Sequence, residues 1–208
     1  MDIAGIVALA PVIPVLTIER AADAVPLAQA LVKGGLRVIE ITLRTPAALE
    51  ALAAIADQVP EAVAGVGTVL AARQFEQARR AGARFAVSPG CTPSLAAAAR
   101  STGLPYLPGV QTVSEAMALA DQGFKLLKLF PADTAGGISW LRAIAAPLQE
   151  LRFCPTGGVT ADTAPGYLAL ANVVCVGGSW VAPKAAVGGR DWAMVERLAA
   201  TAAALKRR

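Results

Sequence analysis

The 208-residue sequence contains no histidine and only three cysteines. The lack of histidine excludes a Ser-His-Asp triad, an imidazole general base and most zinc or copper sites. Cys91, Cys154 and Cys175 are far apart along the chain and form no CxxC pair, which argues against a disulfide scaffold and favours a reducing compartment. Any acid–base chemistry must therefore come from Glu, Asp, Lys or Tyr side chains.

Charged residues are also scarce, at 16% of the chain against 55% hydrophobic residues, and the mean hydropathy is +0.54. No run of about 18 apolar residues escapes charges or prolines, so we predict no membrane-spanning helix. Because Pro11 and Pro14 interrupt the apolar start and no basic residue precedes it, we interpret residues 3–16 as a short helix and a first strand. The net charge of +4 comes without a basic, aromatic-rich stripe, so nucleic acid is not an expected partner.

Short β-rich segments alternate with Ala/Leu-rich segments of helical period along the chain. The predicted strands are 13–18, 38–43, 62–69, 85–89, 105–110, 125–130, 152–156 and 173–177. The predicted helices are 21–33, 46–58, 71–81, 93–101, 113–121, 138–149, 161–170 and 191–206. This alternation predicts an α/β protein in which residues 1–208 form one domain, a single (β/α)8 TIM barrel with a short N-terminal helix. An open doubly wound sheet is the main alternative, but residues 16–20 lack the glycine-rich loop that it needs.

In a barrel, catalytic groups lie at the carboxyl ends of strands, and the second predicted strand carries a carboxylate there. Alternation along a strand puts Glu40 and, if the strand extends, Arg44 on one face. A carboxylate in such an apolar run needs a partner or a purpose. One interpretation is a buried Glu40–Arg44 ion pair that stabilises the barrel. The other gives Glu40 proton-transfer work and has Arg44 neutralise a substrate anion.

The sixth predicted strand contains a lysine among leucines. Lys128 shares a face with Leu126 and Phe130, whereas Lys125 lies on the other face near the start of the strand. An ammonium in such surroundings loses hydration, which favours the neutral amine that a Schiff-base nucleophile requires. We therefore predict that Lys128 is the nucleophile and that Lys125 extends its head into water.

Glycine pairs end the last two predicted strands. Gly157 and Gly158 follow the seventh strand, and Gly178 precedes Ser179 after the eighth. Glycines let backbone N–H groups approach a phosphate closely, and these two loops are the usual phosphate site of a TIM barrel. We therefore predict a phosphate site here. The third strand ends near Thr68, whose hydroxyl we expect to point inward together with Val66.

These motifs are similar to those of the KDPG/KHG aldolase family (2-keto-3-deoxy-6-phosphogluconate and 4-hydroxy-2-oxoglutarate aldolases). The resemblance extends from residue 11 to about residue 183. It rests on the segments EITLRT (40–45), GVGTV (65–69), SPG (88–90), PGV (108–110), KLFPA (128–132), RFCPTGG (152–158) and GGSW (177–180). One departure is Leu129, at a position where the family has an aromatic residue, and we expect its side chain to face away from the site.

The resemblance implies a role for each matching residue. Lys128 would form the Schiff base, and Glu40 would move protons. Arg44 and Thr68 would hold the pyruvyl carboxylate. The remaining implied substrate-binding residues are Pro89 and Phe130 around the pyruvyl unit, Thr156 at the substrate hydroxyl, and Gly157, Gly158, Gly178 and Ser179 at the phosphate.

The implied reaction is cleavage of 2-keto-3-deoxy-6-phosphogluconate to pyruvate and glyceraldehyde 3-phosphate in the Entner-Doudoroff pathway. Cleavage of 4-hydroxy-2-oxoglutarate to pyruvate and glyoxylate is implied as a second activity. The resemblance also implies a cytoplasmic homotrimer that acts on a small 2-keto acid phosphate and needs no metal or other cofactor.

Three other functions are consistent with the same residues. A phosphosugar isomerase or synthase would use the phosphate loops without a nucleophilic Lys128. A non-catalytic barrel could bind phosphorylated metabolites and use Glu40, Arg44 and Lys128 only as a charge network. A metal-dependent class II aldolase would need an all-carboxylate Mg²⁺ site, because the chain has no histidine.

Overall fold

The structure, a computed structural model, describes residues 1–207, so Arg208 at the end of the predicted domain lies outside the described residues. The strands are β1 (Val12–Leu16), β2 (Val38–Thr42), β3 (Val63–Gly67), β4 (Ala86–Val87), β5 (Tyr106–Leu107), β6 (Gly109–Val110), β7 (Leu126–Leu129), β8 (Arg152–Pro155) and β9 (Val176–Gly178). The α-helices are α1 (Ile3–Val7), α2 (Ala24–Lys33), α3 (Ala48–Gln58), α4 (Arg73–Arg80), α5 (Pro93–Thr102), α6 (Val113–Asp121), α7 (Gly137–Ile144), α8 (Ala164–Leu168), α9 (Lys184–Gly188) and α10 (Trp192–Ala203). A 3₁₀ turn, Ala21–Asp23, precedes α2.

All of the paired strands are parallel, and they form a curled α/β sheet in two parts. The first part has the order β5-β4-β3-β2-β1-β9, and the second has the order β6-β7-β8. Two isolated parallel bridges, Phe153 with Val173 and Thr156 with Gly177, join the β8 segment to the chain around β9. The carboxyl ends of the strands therefore meet at one edge of the sheet.

The fifth predicted strand, 105–110, is divided into β5 and β6 by Pro108. Proline has no N–H to donate to a neighbouring strand, so the ladder is interrupted there. Its carbonyl still accepts a hydrogen bond of 2.8 Å from the Lys128 N–H, which keeps this segment beside β7. The short helix α9 was not expected from the sequence, because the residues after Pro183 carry no recognised motif.

The sheet has an apolar outer face beneath the helices and an inner face that changes character along the strands. On β7, Leu127 and Leu129 are fully buried in the outer cluster, as expected for Leu129, whereas Leu126 belongs to the inner cluster. Helix α1 contributes Ile6 and Val7 to that inner cluster, which closes the interior at one end. The buried members of the inner cluster are Ile6, Val7, Ile13, Val38, Phe85, Val87, Leu107, Leu126, Cys154 and Cys175.

The helices of this chain are short and many carry polar faces. Among the described residues, no helix is long and apolar enough to cross a membrane.

The burial of Leu127 gives a test of the outer cluster. Leu127→Ala removes a fully buried side chain, and we expect it to lower the free energy of unfolding by about 2–5 kcal/mol because a cavity remains. The matched control is Leu70→Ala, at a leucine that is 65% exposed, and it should change stability by less than about 0.5 kcal/mol. Urea denaturation of the two variants measures both values. Equal losses would contradict the assignment of Leu127 to the core.

Candidate active site

The structure brings the predicted nucleophile and the predicted proton carrier together. Lys128 on β7 and Glu40 on β2 are 88 residues apart in sequence, yet Nζ of Lys128 donates to Oε1 of Glu40 over 3.3 Å. Only 5% and 4% of the two side chains are exposed. A buried ion pair carries a large desolvation cost and is weak evidence for stability, so its presence in this interior favours a chemical role.

The room for the Glu40 carboxylate comes from β3. Cα of Gly67 is paired with that of Thr42, and a Cβ on Gly67 would overlap the Glu40 carboxylate. Gly65 likewise leaves space for the ring of Phe85. The two glycines therefore face inward, and the prediction that Val66 points inward is wrong. Val66 lies between them in the strand and is fully buried in the outer cluster.

Thr68 departs from strand geometry immediately after β3. Its φ of 59° is in the left-handed region, which is uncommon for a residue other than glycine. The alternation rule therefore does not fix the direction of its side chain. Thr68 is half-buried at the carboxyl end of β3, next to Gly67 and hence beside the Glu40 carboxylate.

Of the two interpretations of Glu40 and Arg44, the buried ion pair between them is wrong. The partner of Glu40 is Lys128, and Arg44 lies two residues beyond the end of β2, exposed at the wall of a large cavity. Two threonines fix the segment that carries Arg44. Thr42 donates to the carbonyl of Leu16 over 2.8 Å, and Thr45 donates to that of Ile18 over 2.6 Å. The Arg44 backbone is thus anchored on both sides to the chain after β1.

Phe130 and Pro89 lie close to the buried pair. The Phe130 ring centroid is 5.1 Å from Nζ of Lys128, within the range of a cation–π contact. The backbone of Pro89 packs against Gly109, whose Cα is paired with that of Lys128. Ser88 Oγ and Tyr106 Oη share a buried 2.5 Å hydrogen bond, which holds the strand end before Pro89.

Two cysteines that are distant in sequence complete the apolar floor of the site. Cys154, whose Cα is paired with that of Lys128, and Cys175 both belong to the inner cluster. The contact with the Cys154 thiol, together with burial, raises the pKa of Cys175 well above its ordinary value. Cys175 is therefore a neutral, weakly polar wall at neutral pH.

A cavity of about 670 Å³ opens at the carboxyl ends of the strands. Of the predicted site residues it is lined by Arg44, Phe130, Thr156, Gly157, Gly158, Gly178 and Ser179. Lys128, Glu40, Thr68 and Pro89 are not part of this lining. Phe130 connects the two groups, because it both lines the cavity and contacts Lys128.

The glycine loop after β8 has an unusual backbone. Gly157 and Gly158 have φ values of 93° and 80°, a conformation that favours glycine. The carbonyl oxygens of Thr156 and Gly157 accept hydrogen bonds from the N–H groups of Ala132 and Asp133, respectively. Within residues 1–207, the N–H groups of Gly157 and Gly158 have no hydrogen-bond partner. Successive backbone N–H groups of this kind suit an anion.

Several cavity residues were not identified from the sequence. Glu19, Arg20 and Asp23 follow β1, and Lys184 begins α9. The sequence did contain a signal for the first three residues, because the chain after β1 was expected at the same edge of the sheet as the glycine loops. These residues and Lys184 were not identified, because neither segment carries a recognisable motif.

Comparison with known proteins identifies a family. The family model for KDPG and KHG aldolase matches residues 3–198. The KHG/KDPG aldolase of Escherichia coli is 47% identical over 195 residues, which cover 94% of this chain and 92% of that protein.

Two solved structures are similar along almost the entire chain. KDPG aldolase from Legionella pneumophila, with pyruvate captured as a covalent carbinolamine intermediate, has a TM-score of 0.96 and 42% identity, covering 98% of this chain and 99% of that one. The 2-keto-3-deoxy-6-phosphogluconate aldolase of Zymomonas mobilis with 3-phosphoglycerate has a TM-score of 0.95 and 48% identity, covering 99% and 97%. With a family match over most of its length and relatives at 47% identity that are named aldolases, the chain belongs to the KDPG and KHG aldolase family.

Proposed function

We propose that this protein is a class I aldolase that cleaves 2-keto-3-deoxy-6-phosphogluconate to pyruvate and glyceraldehyde 3-phosphate through a Schiff base on Lys128. The observation that carries this proposal is the buried contact of 3.3 Å between Lys128 Nζ and Glu40 Oε1. An amine and a carboxylate at this separation can exchange a proton directly. The family membership and the Legionella relative with its covalent carbinolamine support the same chemistry.

The first half of the reaction builds the electron sink. Glu40 accepts a proton from the Lys128 ammonium, and the neutral amine attacks the C2 ketone of the substrate. A proton then passes from the attacking nitrogen to the former ketone oxygen, which gives the neutral carbinolamine. Glu40 donates its proton to the carbinolamine hydroxyl, which leaves as water, and the nitrogen lone pair forms a protonated imine. The apolar floor that includes Cys154 and Leu126 keeps bulk water from the pair.

The second half breaks the carbon–carbon bond. Glu40, now a carboxylate, takes the proton of the C4 hydroxyl, and the electron pair of the C3–C4 bond moves into the imine. Glyceraldehyde 3-phosphate leaves, and the remaining enamine is protonated at C3 and hydrolysed to pyruvate. One carboxylate serves every step, in agreement with the absence of histidine from the sequence.

The remaining predicted residues bind the substrate in this proposal. Arg44, at the exposed cavity wall, and Thr68, beside the Glu40 carboxylate, hold the pyruvyl carboxylate. Phe130 and Pro89 pack around the pyruvyl unit, and Thr156 contacts a substrate hydroxyl. The phosphate binds to the glycine loops formed by Gly157, Gly158, Gly178 and Ser179, which line the far part of the cavity.

We further propose that the two parts of the sheet close into one eight-stranded (β/α)8 barrel. The bridges of Phe153 with Val173 and of Thr156 with Gly177, and the short Pro108 break between β5 and β6, support closure. A single domain over residues 1–208, a cytoplasmic homotrimer, action without metal or cofactor, and a place in the Entner-Doudoroff pathway stay predictions from the family.

A second activity is cleavage of 4-hydroxy-2-oxoglutarate to pyruvate and glyoxylate. The Escherichia coli relative carries both substrates in its name. The smaller substrate presents the same C2 ketone and C4 hydroxyl to Lys128 and Glu40, and its distal carboxylate would meet the cavity in place of a phosphate.

Covalent trapping tests the Schiff base. Pyruvate with borohydride should inactivate the protein and label one lysine per chain, because reduction of the imine makes the bond to Nζ irreversible. Lys128→Met should abolish labelling. Lys125→Met should leave it intact, since Lys125 is exposed immediately before β7 and forms an ion pair with Glu150. A label mapped to another lysine would overturn the assignment. Strong inhibition by EDTA would instead favour the metal-dependent alternative.

The role of Glu40 is tested by Glu40→Gln. The amide keeps the size of the side chain and can still accept a hydrogen bond from Lys128, but it cannot carry a proton at neutral pH. We expect kcat to fall by about 10²–10⁴ while the thermal midpoint changes little. Glu150→Gln is the matched control, because it removes an exposed carboxylate that also pairs with a lysine. If Glu40→Gln keeps a nearly normal kcat but has a much lower thermal midpoint, Glu40 has only a structural role.

The phosphate loops are tested by adding charge. Ser179→Asp places a carboxylate at the exposed cavity wall, and repulsion should raise KM for a phosphorylated substrate by about tenfold. The KM of the unphosphorylated analogue should rise much less. Ser114→Asp, at an exposed serine of α6 outside the cavity lining, is the control. Equal changes of KM for both substrates would mean that these loops do not contact the phosphate.

A further inference from the structure

Three charged side chains form a cluster at the wall of the cavity. Asp23 is buried, with 6% of its side chain exposed, and each of its oxygens binds a different arginine. Nε of Arg20 donates to Oδ2 over 2.7 Å, and Nε of Arg190 donates to Oδ1 over 3.0 Å. Arg20 and Asp23 line the cavity, whereas Arg190 contacts Asp23 without being part of the lining. The cluster carries a net charge of +1.

The sheet brings this cluster to the glycine loop after β9. Strands β1 and β9 are paired, with Pro14 opposite Gly178, so the chain after β1 lies beside the chain after β9. Arg20 comes four residues after the end of β1. Arg190 comes shortly after α9, with a left-handed φ of 57°, and it reaches across 167 residues of sequence to Asp23. The Asp23–Arg190 contact thus ties the two loops together.

The geometry of Arg20 leaves most of its donors available. Among the described residues, Asp23 is the only hydrogen-bond partner of its guanidinium, and the contact uses Nε alone. The two Nη groups carry four further N–H donors, and 54% of the side chain is exposed at the cavity. A planar guanidinium with two free amino groups matches the oxygens of a phosphate better than an ammonium does.

Asp23 keeps this arginine in place. Burial alone would raise the pKa of the Asp23 carboxyl, but the hydrogen bonds and charges of Arg20 and Arg190 hold the pKa below its ordinary value. The Asp23 carboxylate is therefore charged at neutral pH and restrains the Arg20 side chain. Because Arg20 is already restrained, it loses less rotamer entropy when it binds a ligand. The cavity also contains Lys184 and, of opposite charge, Glu19 on the same rim.

We propose that Arg20 determines specificity for the distal phosphate of the substrate, with Asp23 as the residue that positions it. This inference rests on the proposed function and extends its phosphate site from backbone N–H groups to a side-chain cation. The glycine loops bind the phosphate through N–H groups, and Arg20 supplies positive charge from the neighbouring strand end. Unphosphorylated 2-keto-3-deoxygluconate, which has no second anionic group, would gain nothing from Arg20.

The test compares 2-keto-3-deoxy-6-phosphogluconate with unphosphorylated 2-keto-3-deoxygluconate in the intact enzyme. Arg20→Gln should lower kcat/KM for the phosphorylated substrate about tenfold more than for the other, through KM rather than kcat, because a charge-assisted contact is lost. Asp23→Asn should shift the same ratio less, since Arg20 keeps its charge but loses its restraint. The Ki of inorganic phosphate as a competitive inhibitor should rise in parallel in both variants.

Arg79→Gln is the matched control. Arg79 is also 54% exposed and also binds, through Nε, a carboxylate three residues away, but it lies on α4 outside the cavity lining. The quantity compared is kcat/KM for the phosphorylated substrate divided by kcat/KM for the unphosphorylated one. An equal ratio in Arg20→Gln and Arg79→Gln would overturn the inference. If Arg20→Gln does not fold, Arg20→Lys decides: an intermediate ratio supports the inference, and an unchanged ratio contradicts it. Lack of any cleavage by the wild-type protein would instead refute the proposed function.

Discussion

The buried contact between Lys128 and Glu40 is the constraint on which the rest of the site depends. Two opposite charges in an apolar interior attract each other favourably only at close range and in good geometry, so the surrounding side chains must hold both in place. Gly67 makes room for the carboxylate, Phe130 lies 5.1 Å from the ammonium, and Cys154 lies beside Lys128 on the neighbouring strand.

In the proposed mechanism, the reacting groups lie apart from the groups that recognise the substrate. Lys128 and Glu40 lie on strands, where paired backbones and packed neighbours restrict their movement. Arg44, the glycine loops and Arg20 lie beyond the strand ends, where the chain is exposed and borders the cavity. Because the pair lies on strands and the binding groups lie on exposed loops, substitutions in the loops can change substrate range without disturbing the pair.

The two ends of the interior differ in polarity. Helix α1 and the inner cluster fill one end of the interior with apolar side chains, so Lys128 and Glu40 have apolar neighbours on that side. The other end carries Arg20, Arg44 and Lys184 at the cavity, partly offset by Glu19 and Asp23. In the proposed mechanism, an anionic substrate is attracted by the charge at the mouth of the cavity and reaches Lys128 in a region of low polarity.

The sequence by itself was sufficient for the α/β alternation and for the family. It also predicted that Lys128 is buried and Lys125 exposed, because strand period and apolar neighbours are local properties. Tertiary structure decided the partners. It joined Glu40 to Lys128 rather than to Arg44, gave Thr68 a left-handed backbone, turned Val66 outward, and placed Cys154 beside Cys175. It also assembled Arg20, Asp23 and Arg190 from the two chain ends. These contacts depend on which strands become neighbours in the curled sheet, and no local pattern encodes that pairing.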